Sequence, residues 1–178
     1  MSYYVVRVKP RSEKNFLTLC RKFFPDGDLT AFFPRRCLTE RRQGKLFKTE
    51  APLFPGYIFL ESDGTLSPEI YHRLKLLPGF FHLLGQQGTL SELKGPDLEL
   101  VRRFLGFGQV LQASKVYFDE NQRIRVVAGP MVGMEGQVVS VDRRKGRAKI
   151  RLDFDHRPFM LSLTFEVLNP LPSADAAS

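Results

Sequence analysis

The side chains that perform most enzymatic chemistry are few and scattered in this sequence. The three histidines, His72, His82 and His156, lack the i, i+4 spacing of a zinc site, and no nucleophile–base arrangement can be read around them. Cys20 and Cys37 form neither a CxxC motif nor a disulfide framework. No glycine-rich nucleotide-binding loop is present. The sequence therefore predicts a protein that is not an enzyme and that needs no cofactor or metal.

Binding of polyanions is the chemistry that the sequence does favour. The chain has 178 residues and a formal net charge of +8. Residues 1–48 carry twelve Lys and Arg side chains and only four acidic ones, whereas residues 49–178 carry fifteen of each sign. A local excess of positive charge steers phosphate groups and adds salt-dependent affinity for them. An ordinary solvated surface is the alternative, but this asymmetry favours nucleic-acid contact.

The elements that must position these residues alternate between strands and helices in the first part of the chain. Residues 35–48 read as a polar hairpin that turns near Gln43-Gly44. Helices are predicted at residues 13–24, 67–77 and 97–107. Strands are predicted at residues 3–8, 30–33, 57–60 and 80–84. This order predicts an α+β domain over residues 1–108.

The pattern changes after Gly108. Residues 109–120 look like a linker, and four short strands separated by Gly or charged turns follow. Residues 121–170 therefore have the size and pattern of a small β-barrel. Residues 171–178 are small and polar and are predicted to be disordered.

Two motifs carry more specific information. In the first, LFPGYIFL at residues 53–60, Gly56 permits a backbone turn, and alternation puts Tyr57 and Phe59 on one strand face. Those aromatic rings could form a binding pocket or only fill a core. In the second, GPMVGMEGQVVSVD at residues 129–142, Met134 lies between glycines on a predicted exposed loop. It suits a partner surface, and packing within the barrel is an equal alternative.

In this order and spacing the two motifs resemble the NusG family of transcription elongation factors, in which an α/β-sandwich NusG-type domain precedes a small SH3-like β-barrel named KOW. The resemblance covers residues 3 to about 169 and includes the N-terminal YYVV strand and VDRRKGRAKI at residues 141–150. It implies an apolar pocket that binds the clamp helices of RNA polymerase and promotes processive elongation or antitermination. The matching pocket residues are Tyr3, Phe54, Tyr57, Phe59 and Leu83.

The resemblance also gives the basic segment a place beside DNA or nascent RNA. The candidate nucleic-acid-binding residues are Lys9, Arg11, Lys14, Arg21, Lys22, Arg35, Arg36, Arg41 and Arg42. In relatives the KOW barrel recruits a ribosomal protein or a termination factor, and Met134 occupies the place of a partner-contacting residue.

The localised charge favours a specialised paralogue that suppresses termination at particular operons. The alternatives are a general NusG that couples transcription to translation or termination, and a ribosome-associated KOW protein. No apolar run approaches the roughly 20 residues of a membrane span. We therefore expect a cytoplasmic, monomeric protein without membrane contact.

Overall fold

The computed structural model describes residues 1–25, 27–84, 91–154 and 156–168. The chain divides into two compact units. The first unit contains Met1–Pro34 and Pro52–Leu105. The second contains Arg35–Ala51 and the chain from Gly106 onward. The predicted disordered tail, residues 171–178, lies outside the described residues.

The helices lie where the apolar periodicity predicts them, with shifts of one or two residues at most ends. They are α1 (Glu13–Phe23), α2 (Pro68–Lys75) and α3 (Gly95–Leu105), with a short 3₁₀ helix at Glu135–Gln137. The strands are β1 (Ser2–Val8), β2 (Leu29–Phe32), β3 (Arg35–Arg42), β4 (Lys45–Pro52), β5 (Tyr57–Ser62), β6 (Phe80–Leu83), β7 (Val110–Leu111), β8 (Ser114–Phe118), β9 (Ile124–Ala128), β10 (Val138–Asp142), β11 (Arg147–Phe154) and β12 (Arg157–Val167). Within the described ranges, no helix has the length and apolar character needed to cross a membrane.

The first unit is built on a four-stranded antiparallel sheet with the order β2-β5-β1-β6. One face of this sheet forms a core with α1 and α2. Alternate residues of β1 and β5 meet the apolar stripes of the two helices there: Tyr4, Val6, Ile58, Leu60, Phe16, Cys20 and Leu74. Sheet and helices of this kind agree with the predicted α+β class. Burial in this core raises the pKa of the Cys20 thiol to about 12, so the group is inert.

The second unit contains two sheets. Five strands pair in the order β10-β11-β12-β8-β9, and three pair in the order β4-β3-β7. The four strands predicted after residue 121 are confirmed as β9 to β12. The pair formed by β8 and β12 is parallel, and the other pairs of the five-stranded sheet are antiparallel. Closure of this sheet into a barrel stays a prediction.

The predicted hairpin is confirmed, and its turn has the backbone that its sequence requires. Gln43 and Gly44 have φ angles of 49° and 79°, as in the two-residue turn that matches strand twist. The strands on either side, β3 and β4, extend from Arg35 to Pro52.

The predicted domain boundaries are wrong in two places. The expected linker at residues 109–120 contains β7 and β8, and β7 pairs in parallel with the start of β3. The hairpin groups with the second unit, where the hydroxyl of Thr164 donates to the carbonyl of Cys37 at 3.1 Å. Both errors have one cause. A polar strand shows its sheet partner only through long-range hydrogen bonds, which a local pattern does not reveal.

Candidate functional site

The Pro-Gly turn of the first motif is held in place by a buried carboxylate. The N–H of Gly56 donates to Oε1 of Glu13 at 2.9 Å, and Glu13 is only 6% exposed. The carbonyl of Gly56 accepts the N–H of Val8 at 2.8 Å. Gly56 has a φ of 81°, which its lack of a side chain makes inexpensive. The turn is therefore fixed to the end of β1 and the start of α1, and Tyr57 follows it directly.

The aromatic residues of the motif divide into a buried layer and a partly exposed residue. Phe54 and Phe59 are buried, with ring centroids 5.3 Å apart in an edge-to-face arrangement. Phe104 of α3 lies 6.1 Å from Phe54. Tyr57 is half-buried and lies on the same sheet face as Phe59. Tyr57 thus stays partly accessible to solvent, whereas Phe54 and Phe59 belong to the interior of the unit.

Tyr3 lies on this same face, four positions away from Tyr57 in the register of β1 and β5. Tyr3 is opposite Glu61, whereas Tyr57 is opposite Arg7. The guanidinium carbon of Arg102 in α3 stands 5.1 Å from the centroid of the Tyr3 ring, a cation–π contact. Sequence reasoning missed Arg102, because only the packing of α3 brings it to β1.

Leu83 does not join the other four predicted pocket residues. It lies opposite Val6 in the pairing of β1 with β6, and directly opposed residues share a sheet face. Leu83 packs against the core that contains Val6, on the face opposite to Tyr57. The prediction that Leu83 shares a surface with Tyr57 is therefore wrong, because the register of β6 turns it away.

The basic residues that precede α1 or lie along it form an exposed group, which we call the helix patch. Its members are Lys9, Arg11, Lys14, Arg21 and Lys22, and all are exposed. Lys14 and Arg21 are two helical turns apart and project from the same side. Among the described residues, no ion pair neutralises any member of the helix patch. Their charge is available to an anionic partner.

The four arginines of β3 fall into two classes. Arg35 forms an ion pair with Glu50, and Arg36 donates to the carbonyl of Ser162 in β12. Desolvation, followed by repulsion from the nearby Arg147, lowers the pKa of Arg36 from its ordinary value. Arg35 therefore links β3 to β4, and Arg36 links β3 to β12. The other two, at the tip of the hairpin, are exposed.

Met134 is not on an exposed loop, and that prediction is wrong. It is 3% exposed, and Met131 is fully buried. The N–H of Met134 donates to the carbonyl of Met131 at 3.0 Å, and this hydrogen bond turns the chain back into the unit. The exposed large apolar side chains of this motif are instead Val132 and Val139.

The three histidines do not share an element of the fold. His72, His82 and His156 are exposed on separate elements or turns. Over the part of the chain that the structure describes, no three His, Cys, Asp or Glu side chains come together as a metal site. The candidate surfaces are therefore the sheet face that carries Tyr57 and the helix patch.

Comparisons with known proteins agree with the motifs. A family model described as "Transcription termination factor nusG" matches residues 1–102. The transcription termination/antitermination protein NusG of Campylobacter jejuni is 25% identical over 119 residues, which cover 67% of this chain and 66% of that protein. The protein of the same name from Rickettsia felis is 24% identical over 169 residues, which cover 92% and 86%.

One solved structure, "Domain interaction in Thermotoga maritima NusG", has a TM-score of 0.55 against this chain. It shares 16% sequence identity and covers 92% of this chain and 93% of its own. At this low sequence identity, the likeness between the two structures shows a similar fold and nothing about function.

Proposed function

Because this chain belongs to the NusG family of transcription factors, which are not enzymes, we propose that it binds the clamp helices of RNA polymerase and promotes processive elongation or antitermination. The observation that carries the proposal is the position of Tyr57. It is half-buried on a sheet face, directly after a turn that Glu13 fixes through Gly56.

The surroundings of Tyr57 suit an apolar anchor for a helical partner. The buried rings of Phe54 and Phe59 lie 5.3 Å apart and limit the freedom of the strand that carries it. A preorganised tyrosine loses little conformational entropy on binding and provides apolar area with a polar tip. Amphipathic helices are recognised by apolar surfaces of this kind. Tyr3, at the other end of the face, extends the proposed surface.

The helix patch supports contact with the DNA or RNA of an elongation complex. Its members carry no neutralising ion pair within the described residues. Each side chain that neutralises a phosphate releases counterions, so such contacts weaken as salt rises. We infer that the patch provides an auxiliary, salt-dependent attachment, while the aromatic face provides the polymerase contact.

Replacing Tyr57 with Ala tests the polymerase contact. We expect its affinity for purified core RNA polymerase to fall by about 2 kcal/mol, or roughly thirtyfold, as is typical of a tyrosine anchor. Tyr117→Ala is the matched control, since Tyr117 is also half-buried but belongs to the second unit. Equal affinities of the two variants, with unchanged circular dichroism, would show that Tyr57 is not an interface residue.

The concentration of charge before residue 49 favours a specialised factor over a general one that couples transcription to translation or termination. Run-off transcription through a terminator distinguishes the two. A specialised antitermination factor increases read-through only on templates with its own recruiting element, whereas a general factor acts on unrelated templates equally. A ribosome-associated KOW protein would bind purified ribosomes and leave polymerase unbound.

A further inference from the structure

A strongly basic groove lies within the second unit, between the tip of the hairpin and the turn that joins β10 to β11. Its volume is about 970 Å³. One wall is formed by residues 39–42 and the other by residues 143–147. Leu46 of β4 and Phe165 and Val167 at the end of β12 also line the groove.

The walls of this groove carry six cationic side chains and one acid. The cations are Arg41, Arg42, Arg143, Arg144, Lys145 and Arg147. Some of these cations already have partners. Arg42 forms an ion pair with Glu40 at 3.1 Å, and the guanidinium carbon of Arg143 lies 3.7 Å from the centroid of the Phe118 ring. Arg41 and Arg144, one on each wall, are exposed, and no described residue forms an ion pair with either. The groove therefore has an unneutralised guanidinium on both sides.

Two hydrogen bonds among the residues that line the groove fix this arrangement in advance. Arg147 donates to the carbonyl of Thr39 at 3.2 Å, which ties the second wall to the hairpin. The carbonyl of Gly146 accepts the N–H of Phe165 at 2.8 Å. A Cβ on Gly146 would lie 2.8 Å from the carbonyl oxygen of Phe165, so this approach requires glycine. A groove held in this way spends little entropy on ordering its walls when a ligand binds.

We propose that this groove binds the sugar–phosphate backbone of a short segment of single-stranded RNA. Guanidinium groups bind phosphate oxygens through two parallel hydrogen bonds, and opposed basic walls follow a single backbone. A volume of about 970 Å³ is that of a small-molecule pocket. It admits a few nucleotides, but not a B-form DNA duplex, whose major groove alone is about 12 Å wide.

Glu40 is the feature that favours RNA over DNA. It lines a groove that is otherwise basic, where a carboxylate repels phosphates. An ionised carboxylate has acceptor sites beyond the one that Arg42 uses. A ribose 2′-hydroxyl can donate to it, and DNA has no such group. The choice of RNA also rests on the proposed function, since the transcript is the single strand that a transcribing polymerase releases.

Fluorescence anisotropy with an unstructured 12-nucleotide RNA, at several salt concentrations and with the full chain, tests the proposal. The variant is Arg41→Ala with Arg144→Ala. The control is Lys149→Ala with Arg151→Ala, which removes the same charge from exposed positions of β11 outside the groove. We expect the groove variant to bind roughly tenfold more weakly, and the slope of log K against log salt to fall in magnitude by about 1.4. The control should keep the slope of the wild type.

Equal losses in the two double variants would overturn the groove and reduce the effect to net charge. Stronger binding of duplex RNA, or of an acidic peptide, than of the single strand would overturn the assigned ligand. A single-stranded DNA of the same sequence serves as the second probe. Equal affinity of the wild type for this DNA and for the RNA, or a preference for RNA that survives Glu40→Ala, would overturn the role of Glu40. Wild-type chain that binds polymerase but not RNA refutes the groove alone. If the chain binds no polymerase but its RNA binding weakens only in the groove variant, the groove stands and the proposed function is refuted.

Discussion

The carboxylate of Glu13 is expected to hold the Pro-Gly turn, and its removal should be costly. Glu13→Ala leaves the buried N–H of Gly56 without the acceptor that lies 2.9 Å away. A hydrogen bond to a charged group contributes about 1.5–3 kcal/mol. Glu13 is also the acid in the first turn of α1, where the helix dipole adds about 0.3–1 kcal/mol. The free energy of unfolding should therefore fall by about 2–4 kcal/mol.

Two further variants separate these contributions. Glu69→Ala removes the exposed acid from the first turn of α2, so it should cost only the dipole contribution, about 0.3–1 kcal/mol. Glu13→Gln keeps an acceptor oxygen but loses the charge, so its cost should fall between the other two. The free energies should be measured by urea unfolding, with far-UV circular dichroism as the signal. The chain has no tryptophan whose fluorescence could report unfolding.

Amide hydrogen exchange at Gly56 makes the test local. In the wild type this N–H should be protected by its hydrogen bond, and in Glu13→Ala its exchange should accelerate. The reasoning is refuted if Glu13→Ala costs no more than Glu69→Ala and the Gly56 amide exchanges at the wild-type rate.

Two other predictions concern the close backbone approach at Gly146 and the different burial of the two cysteines. Gly146→Ala should destabilise the chain by about 2–5 kcal/mol, because it adds a clash to left-handed backbone strain. Gly133→Ala, with a similar φ but open space around it, should cost only about 1–2 kcal/mol, and thermal unfolding that ranks the two equally would exclude the clash. In the native protein, a maleimide should label the half-buried Cys37 well before Cys20, whose pKa is raised to about 12 by burial. Mass spectrometry after proteolytic digestion measures the order of labelling, and labelling of Cys20 before Cys37 would contradict the prediction.

Local patterns were sufficient for most elements of this fold. The stripe of Phe16 and Cys20 predicts a helix that buries one side, and α1 does so. The Gln43-Gly44 pair predicts a two-residue hairpin turn, and both residues adopt positive φ. These features depend on residues close together in the chain, so sequence spacing alone determines them.

The candidate site was less predictable, because its members come from distant segments. Alternation correctly puts Tyr57 and Phe59 on one face, but it does not give the register of β6, which places Leu83 on the other face. The prediction that Met134 is exposed is also wrong, because the turn that carries Met134 folds back into the unit and buries this side chain. The sequence contains only a weak indication of the role of Glu13, because this acid stands within a basic segment at the start of a predicted helix.

The sequence by itself determined the two motifs, the concentration of positive charge and the period of each element, since these are properties of neighbouring residues. Only the tertiary structure decided which charges stay available. It uses Arg36 to join β3 to β12 and leaves Arg41 exposed opposite Arg144. The physical reason is that hydrogen bonding and desolvation act between residues more than a hundred positions apart in the chain. A pattern of neighbouring residues therefore does not reveal which of them meet.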